Sequence, residues 1–390
     1  MKAPAKSSAS SSPAVSIREP SAAADPAHGP GRKAGEHRGL DLFSLLAQHE
    51  HEQVSLYYDP STGYRGIIAI HATVLGPALG GTRFWNYSSD EDALIDALRL
   101  ARGMTYKAAV AGLNLGGGKS VIIGDNRTTR REALFRAHGR HVESLKGRYI
   151  TAEDVGTSTS DMEFIKAETD HVTGLIGKSG DPSPVTAYGV YRGIKACARY
   201  RYGSDSLVGK SVALQGCGSV GYHLARLLAA EGAAITCTDI DPQRVKRVVE
   251  ESRAKPVGTD EIYDVPANVF APCALGAVIN DQTLDRLRVE IVAGAANNQL
   301  AEDRHGDLLE QRQITYAPDY VINGGGLINV NAELHGWAPE RARSKAGEIY
   351  DTLLRVFEIA REEGVPSYRA ADRLAEQRIA AIAKVRRNFV

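Results

Sequence analysis

The amino-acid sequence predicts an α/β protein of two domains, the second built on a doubly wound parallel sheet. Three observations carry the prediction. The chain has 390 residues, 43% of them apolar and 24% charged, a globular balance at a length that favours two cores over one. Beyond Asp181-Pro-Ser-Pro184 short helical and strand-like units alternate, the pattern of a parallel sheet covered by helices. Within that half, the apolar run Ser211–Gln215 leads straight into Gly216-Cys-Gly218-Ser-Val-Gly221 and then into a helical pattern over Tyr222–Glu231.

Residues 1–39 contain 25 Ala, Ser, Pro or Gly and no Leu, Phe, Tyr or Trp. They bury too little to offset the entropy of ordering and are expected to form a disordered tail that is dispensable for activity. Basic and acidic residues number 47 each, so no net field draws the chain to nucleic acid or a membrane. No run approaches the ~18 apolar residues of a membrane-spanning helix, and a soluble protein is expected. Cys197, Cys217, Cys237 and Cys273 include no Cys-x-x-Cys pair. That argues against a zinc site or a disulfide scaffold, and for a reducing cytoplasmic setting without a bound metal.

From Leu40 onward the texture becomes that of folded elements. Ile67–Ile70 reads as a buried strand and Glu91–Arg102 as an amphipathic helix, with Ala93, Leu94, Ala97, Leu98 and Ala101 on one face. Ser88 and Glu91 supply a Ser-x-x-Glu capping box, and the helix is expected to end near Gly103. The following segment closes on Gly116-Gly-Gly-Lys-Ser120, but a phosphate loop needs a glycine six positions ahead of Lys119, and position 113 is Leu. The glycines are expected instead to let backbone and a small ligand come close, with Lys119 held beside it. Two solvated surface residues are the plain alternative for Lys107 and Lys119. Tyr149–Asp154, Ile291–Asn298 and Tyr320–Gly326 read as strand ends, where α/β proteins keep their chemistry.

In the glycine fingerprint, Gly216 would permit the tight turn, and Gly218 would admit a pyrophosphate to the helix N-terminus, where Ser219 and Val220 follow. Gly221 would allow close packing of helix on strand. Asp239 stands 18 residues past Gly221, at the end of the run Ala234–Thr238. An acid there accepts from a ribose 2′-hydroxyl and repels a 2′-phosphate, so NAD is expected over NADP. Asp241, before Pro242, reads as a helix cap.

Taken together, Gly76-Pro-Ala-Leu-Gly-Gly-Thr-Arg83, Ala101-Arg-Gly-Met-Thr-Tyr-Lys107, Gly116-Gly-Gly-Lys119, Tyr149–Gly156, Phe270–Gly276 and Ala295-Ala-Asn-Asn-Gln-Leu300 resemble the superfamily of glutamate, leucine, phenylalanine and valine dehydrogenases, most closely its leucine dehydrogenases. The resemblance runs from about Leu40 to the C-terminus. It implies a mixed α/β substrate domain over 40–183 and a Rossmann-type NAD-binding domain over 184–366, with the active-site cleft between them. A C-terminal helix of about 367–390 would return to the first domain, and the chain would form a homo-oligomer, commonly an octamer.

The resemblance also implies roles. Lys107 would hold the substrate carboxylate, Lys119 would be the general base and Asp154 would assist proton transfer. Thr186, Asp239 and Asn298 would contact the cofactor beside the glycine loop. Lys119 must be neutral to act, so its ordinary pKa must fall by roughly two units, and a nearby Lys107 cation and exclusion of water are expected to push it down. Selectivity would be set beside a Gly80-Gly81 turn with Met104, Leu79, Ala152, Leu327 and Val330. Leu79 stands where glutamate dehydrogenases carry a lysine, which excludes glutamate, and Ala152 narrows the pocket toward branched chains. Gly324 replaces the family's usual Ala, and a looser turn there would shift Leu327. The implied activity is reversible NAD-dependent oxidative deamination of L-leucine and other branched-chain L-amino acids. Phenylalanine or valine dehydrogenase of the same family, or a non-catalytic NAD-binding protein, are the alternatives.

Overall fold

The computed structural model describes residues 41–386 apart from Ser179. The expected tail over 1–39 and the last four positions of the expected C-terminal helix lie outside the described residues. The first sheet gathers β1 (Gln53–Asp59), β2 (Tyr64–Ala72), β3 (Ala78–Trp85), β4 (Gly116–Ile123) and β5 (Tyr149–Glu153), in the order β1-β2-β4-β3-β5. β2 runs antiparallel to β1 and β4, whereas β3 lies parallel to both β4 and β5. The helices of this part are α1 (Leu42–Gln48), α2 (Asp90–Val110), α3 (Arg131–Ser144) and α4 (Thr159–Lys166).

Alternation along β2 explains its burial on both faces. Ile67 and Ala69 pack with Val121 against Ala93, Leu94, Ala97, Leu98 and Ala101 of α2. Ile68 and Ile70 point the other way, to Val142, Leu145 and Tyr149.

The second sheet holds β6 (Ser211–Gln215), β7 (Ala234–Thr238), β8 (Lys255–Pro256), β9 (Val269–Pro272), β10 (Ile291–Val292) and β11 (Thr315–Tyr316). Their order is β11-β10-β9-β6-β7-β8, parallel throughout. The order reverses beside β6, which places a ligand crevice at the carboxyl ends of β6 and β9. Around this sheet run α5 (Ser183–Tyr202), α6 (Ser219–Ala230), α7 (Pro242–Ser252), α8 (Asp303–Gln311), α9 (Asp319–Ile322), α10 (Gly325–Leu334), α11 (Pro339–Gly347), α12 (Ile349–Glu363) and α13 (Ser367–Arg386). Arg378 of α13 donates to the carbonyls of Ala108, Ala109 and Leu113 at 3.2, 3.0 and 2.8 Å, satisfying acceptors left open where α2 ends. One apolar cluster extends from Leu79 and Ala108–Val110 to the second sheet and its helices.

The structure differs from the sequence expectations at several elements. α2 is capped by Ser89, whose side chain accepts from the Asp92 amide, not by a Ser88–Glu91 box. It runs through Gly103 to Val110, because burial of Thr105, Ala108 and Ala109 outweighs the ~1 kcal/mol helix penalty of one glycine. Gly80 and Gly81 form no turn; they lie inside β3, where a Cβ at Gly80 would meet the Gly118 carbonyl oxygen at 1.7 Å and one at Gly81 the Glu153 carbonyl oxygen at 2.6 Å.

Gly116–Gly118 likewise form strand. The space beside Gly117 is filled by the Thr105 amide, and that beside Gly118 by the Tyr149 ring, so these glycines admit protein rather than ligand. Tyr320–Gly326 is helical, divided between α9 and α10, since a short apolar run does not by itself separate strand from helix. Gly324 is right-handed at φ −60° and bonded within that bend, not a loose turn.

Candidate active site

Lys119 projects from β4, which pairs with β3, and Asp154 follows directly on β5 at the other edge of β3. The strand order therefore brings together two residues 35 positions apart. Lys119 Nζ donates to Asp154 Oδ2 at 2.7 Å, and Arg83 Nε of β3 donates to the same oxygen at 3.0 Å. Arg83 Nη1 reaches Asp96 Oδ2 of α2 at 2.8 Å, which also accepts from the Tyr87 hydroxyl at 2.7 Å.

Lys119 is only 4% exposed. Burial pushes its pKa down, Asp154 pulls it back, and the Arg83 cation adds to the lowering. Burial opposes ionisation of Asp154, but Lys119 and Arg83 together outweigh it and hold its carboxyl below the usual carboxylate range. Lys107, expected to supply the depressing charge, does repel Lys119, and Arg83, seated on the same carboxylate oxygen as Lys119, is a second cation acting in that direction.

Lys107, in the last turn of α2, is no solvated surface lysine. Its Nζ lies 3.5 Å from Asn297 Oδ1, which also accepts from Asn323 Nδ2 at 2.7 Å. Burial lowers its pKa, opposed by Asp319. Asp319 is itself pushed up by burial while Lys107 pulls it down, and it accepts from the Tyr320 and Gln299 amides at 2.8 and 3.3 Å. Arg83, Asp96 and Asp319 were not singled out from the sequence, and Asn323 only as part of the Tyr320–Gly326 run. Arg83 was visible only as the end of the Gly76–Arg83 motif.

The remaining expected residues fall in two groups. Leu79 on β3, Met104 on α2, and Leu327 and Val330 on α10 share one apolar cluster. Ala152 lies on β5 opposite Gly81, outside that cluster. At the second sheet, Gly216 adopts φ +100°, and a Cβ there would lie 2.8 Å from the Cys273 backbone, so only glycine fits. A Cβ on Gly221 would lie 2.0 Å from the Gly216 carbonyl oxygen, whereas one on Gly218 would meet nothing within 4 Å.

Gly218 thus leaves space at the N-terminus of α6 for a pyrophosphate, with Ser219 and Val220 in the first turn and the Ser219 hydroxyl donating to Asp181 Oδ2 at 2.8 Å. Asp239 directly follows β7, its Oδ2 accepting from the Cys217 amide at 2.7 Å and its Oδ1 from the Asp241 amide at 2.9 Å. Asp241 caps α7 as expected. Thr186 sits in the first turn of α5 beside Gly326, and Asn298 follows β10 at φ +50°. These residues fit a dinucleotide: an open helix N-terminus, a close-packed glycine turn and an anchored acid.

Residues 51–171 match the family model described as the Glu/Leu/Phe/Val dehydrogenase dimerisation domain, and residues 238–387 match that of the glutamate/leucine/phenylalanine/valine dehydrogenases. The chain is 57% identical to a leucine dehydrogenase of Geobacillus stearothermophilus, covering 90% of this chain and 96% of that one. It is 46% identical to a phenylalanine dehydrogenase of Caldalkalibacillus thermarum, over 87% and 94%. The crystal structure of L-tryptophan dehydrogenase from Nostoc punctiforme superposes with a TM-score of 0.82 at 45% identity, covering 88% of this chain and 99% of that one. On these matches the chain belongs to the glutamate, leucine, phenylalanine and valine dehydrogenase family of amino acid dehydrogenases.

Proposed function

We propose that the protein catalyses the reversible NAD-dependent oxidative deamination of L-leucine, and less readily of other branched-chain L-amino acids, to the 2-oxo acid and ammonia. The observation that carries this reading is the Lys119–Asp154 pair, at 2.7 Å, close enough to Lys107 at the end of α2 that both members act on its charge. The higher identity to leucine than to phenylalanine dehydrogenase supports the branched-chain choice, as do the apolar Leu79, Leu327 and Val330. Glutamate would bury an unpaired carboxylate there, at a cost of several kcal/mol. Gly324, bonded in a right-handed bend and not in a loose turn, gives no reason to shift Leu327 toward the phenylalanine alternative.

In this reading the Lys107 ammonium pairs with the substrate carboxylate. Gly216–Gly221 would hold the pyrophosphate of NAD and Asp239 its ribose, and the cofactor held there would supply the acceptor for the Cα hydride. Lys119, whose pKa burial lowers, takes in its neutral form a proton from the water that attacks the iminium carbon. Arg83 and Lys119 both donate to Asp154 Oδ2, which leaves Oδ1 to exchange protons with the amino group. Thr186 and Asn298 complete the cofactor site. Met104 and Ala152 shape the pocket beside Gly80 and Gly81, which admit no side chain.

We place the substrate domain at 40–183 with the helix from 367, the NAD domain at 184–366, and the protein in the cytoplasm as a homo-oligomer, an octamer. The description of the first family domain as a dimerisation domain supports assembly, and no helix among the described residues is long and apolar enough to cross a membrane. NADH absorbance, followed while each L-amino acid is offered in turn, tests the function. Leucine should give the highest kcat/KM, and a higher value for phenylalanine would overturn the assignment.

A further inference from the structure

A lysine held 2.7 Å from a lone carboxylate is stabilised as an ammonium, the wrong state for a base. The structure answers this with a second cation. Arg83 and Lys119 both donate to Asp154 Oδ2, at 3.0 and 2.7 Å, so their nitrogens are no more than about 6 Å apart. The guanidinium is clamped from its other side by Asp96 of α2, at 2.8 Å. Asp96 is in turn held by the Tyr87 hydroxyl and by Arg99, at 2.7 and 2.9 Å.

Resting on the function proposed above, we propose that Arg83 is a positioning residue for that reaction: by sharing one oxygen of Asp154 with Lys119 it fixes the carboxylate and sets a like charge against the Lys119 ammonium, favouring the neutral amine. The fold explains the placement. β3 lies between β4 and β5, so a side chain near its end meets groups from both neighbours. The Arg83 side chain is 21% exposed, which keeps water from screening its charge fully. Other charges facing the pair are Asp96, which favours the Lys119 cation, and Lys107, which senses Lys119 on one side and Asp319 on the other.

The test is the pH dependence of kcat/KM for oxidative deamination. In Arg83→Met, Lys119 loses its like-charged neighbour and keeps its anion, so the acid limb should move to higher pH by about one unit or more, with much of the activity returning at high pH. Arg83→Lys, which keeps the charge, should hold the limb near its wild-type position. Asp96→Asn still accepts a hydrogen bond from Arg83 but removes an anion, and should move the limb the opposite way. Activity lowered equally at every pH in Arg83→Met, with the limb unmoved, would show a merely structural role. Should that variant fail to fold, an unmoved limb in Asp96→Asn overturns the inference. A wild-type protein that makes no NADH with any L-amino acid overturns the functional reading and this inference with it; an unmoved limb in an active enzyme overturns this inference alone.

Discussion

Replacing Gly117 by Ala pushes one methyl group into the seam between β4 and α2. The added Cβ would lie 2.1 Å from the Thr105 amide nitrogen, 2.2 Å from its Oγ1 and 2.5 Å from the Ala101 carbonyl oxygen. Two of these are helix backbone atoms that cannot rotate aside. To restore ordinary contact of 3.4 Å, α2 must move by more than 1 Å. That movement strains the 2.8 Å bond from Thr105 Oγ1 to His71 and alters the spacing of Lys107, on α2, from Lys119, on β4. Overpacking of this kind costs ~1–3 kcal/mol of stability, and a displacement of ~1 Å in a positioned group costs ~10²-fold in rate. Steady-state kinetics with L-leucine and a denaturant unfolding curve measure both. Gly103→Ala on the same helix is the control: its Cβ meets nothing within 4 Å, so a gain of ~0.5–1 kcal/mol with unchanged kinetics is expected. If Gly117→Ala matched the wild type in kcat/KM and midpoint, the reasoning from strand glycines would be wrong.

Lys119→Ala should retain NAD binding and lose nearly all turnover, whereas Lys107→Ala should chiefly raise KM, because a base acts in the transition state and a carboxylate partner in the ground state as well; identical kinetic defects would contradict the division of roles. Asp239 should make NAD strongly preferred, since its anion would face the added phosphate of NADP at a few ångströms, and equal efficiencies with both cofactors would refute this. Burial pushes His138 from 6.5 down to about 3 and His71 down to about 4. The unfolded chain then binds protons that the folded one refuses, so this stabilisation is complete above pH ~6.5 and is lost as pH falls toward 4 and then 3, by up to ~1.4 kcal/mol per pH unit for each histidine. Urea unfolding should show lower stability at pH 5 than at pH 7, with a shallower dependence in His138→Gln; a flat response across that range would contradict the assignment.

What the sequence by itself determined is whatever a few neighbouring residues decide. The turn at Gly216, the cap at Asp241 and the strand ending just before Asp154 follow from local conformational preference and short-range hydrogen bonds, and all three lay where the pattern put them. The motifs also named Lys107, Lys119 and Asp154, because their residue types at those spacings resemble a known family. Only the tertiary structure decided what stands against each of them. Gly103 marks a helix end by local rules, yet α2 continues, because Thr105 packs on Gly117 of β4 and Arg378 of α13 bonds the carbonyls of its last turn. The triple glycine reads as a ligand loop until β4 is seen lying against α2 and Tyr149. Nothing in the order of residues joins Arg83 to both Asp154 and Asp96. That junction exists because β3 pairs between β4 and β5 while α2 crosses beside it, and burial by distant segments, rather than sequence neighbours, lowers the pKa of Lys119.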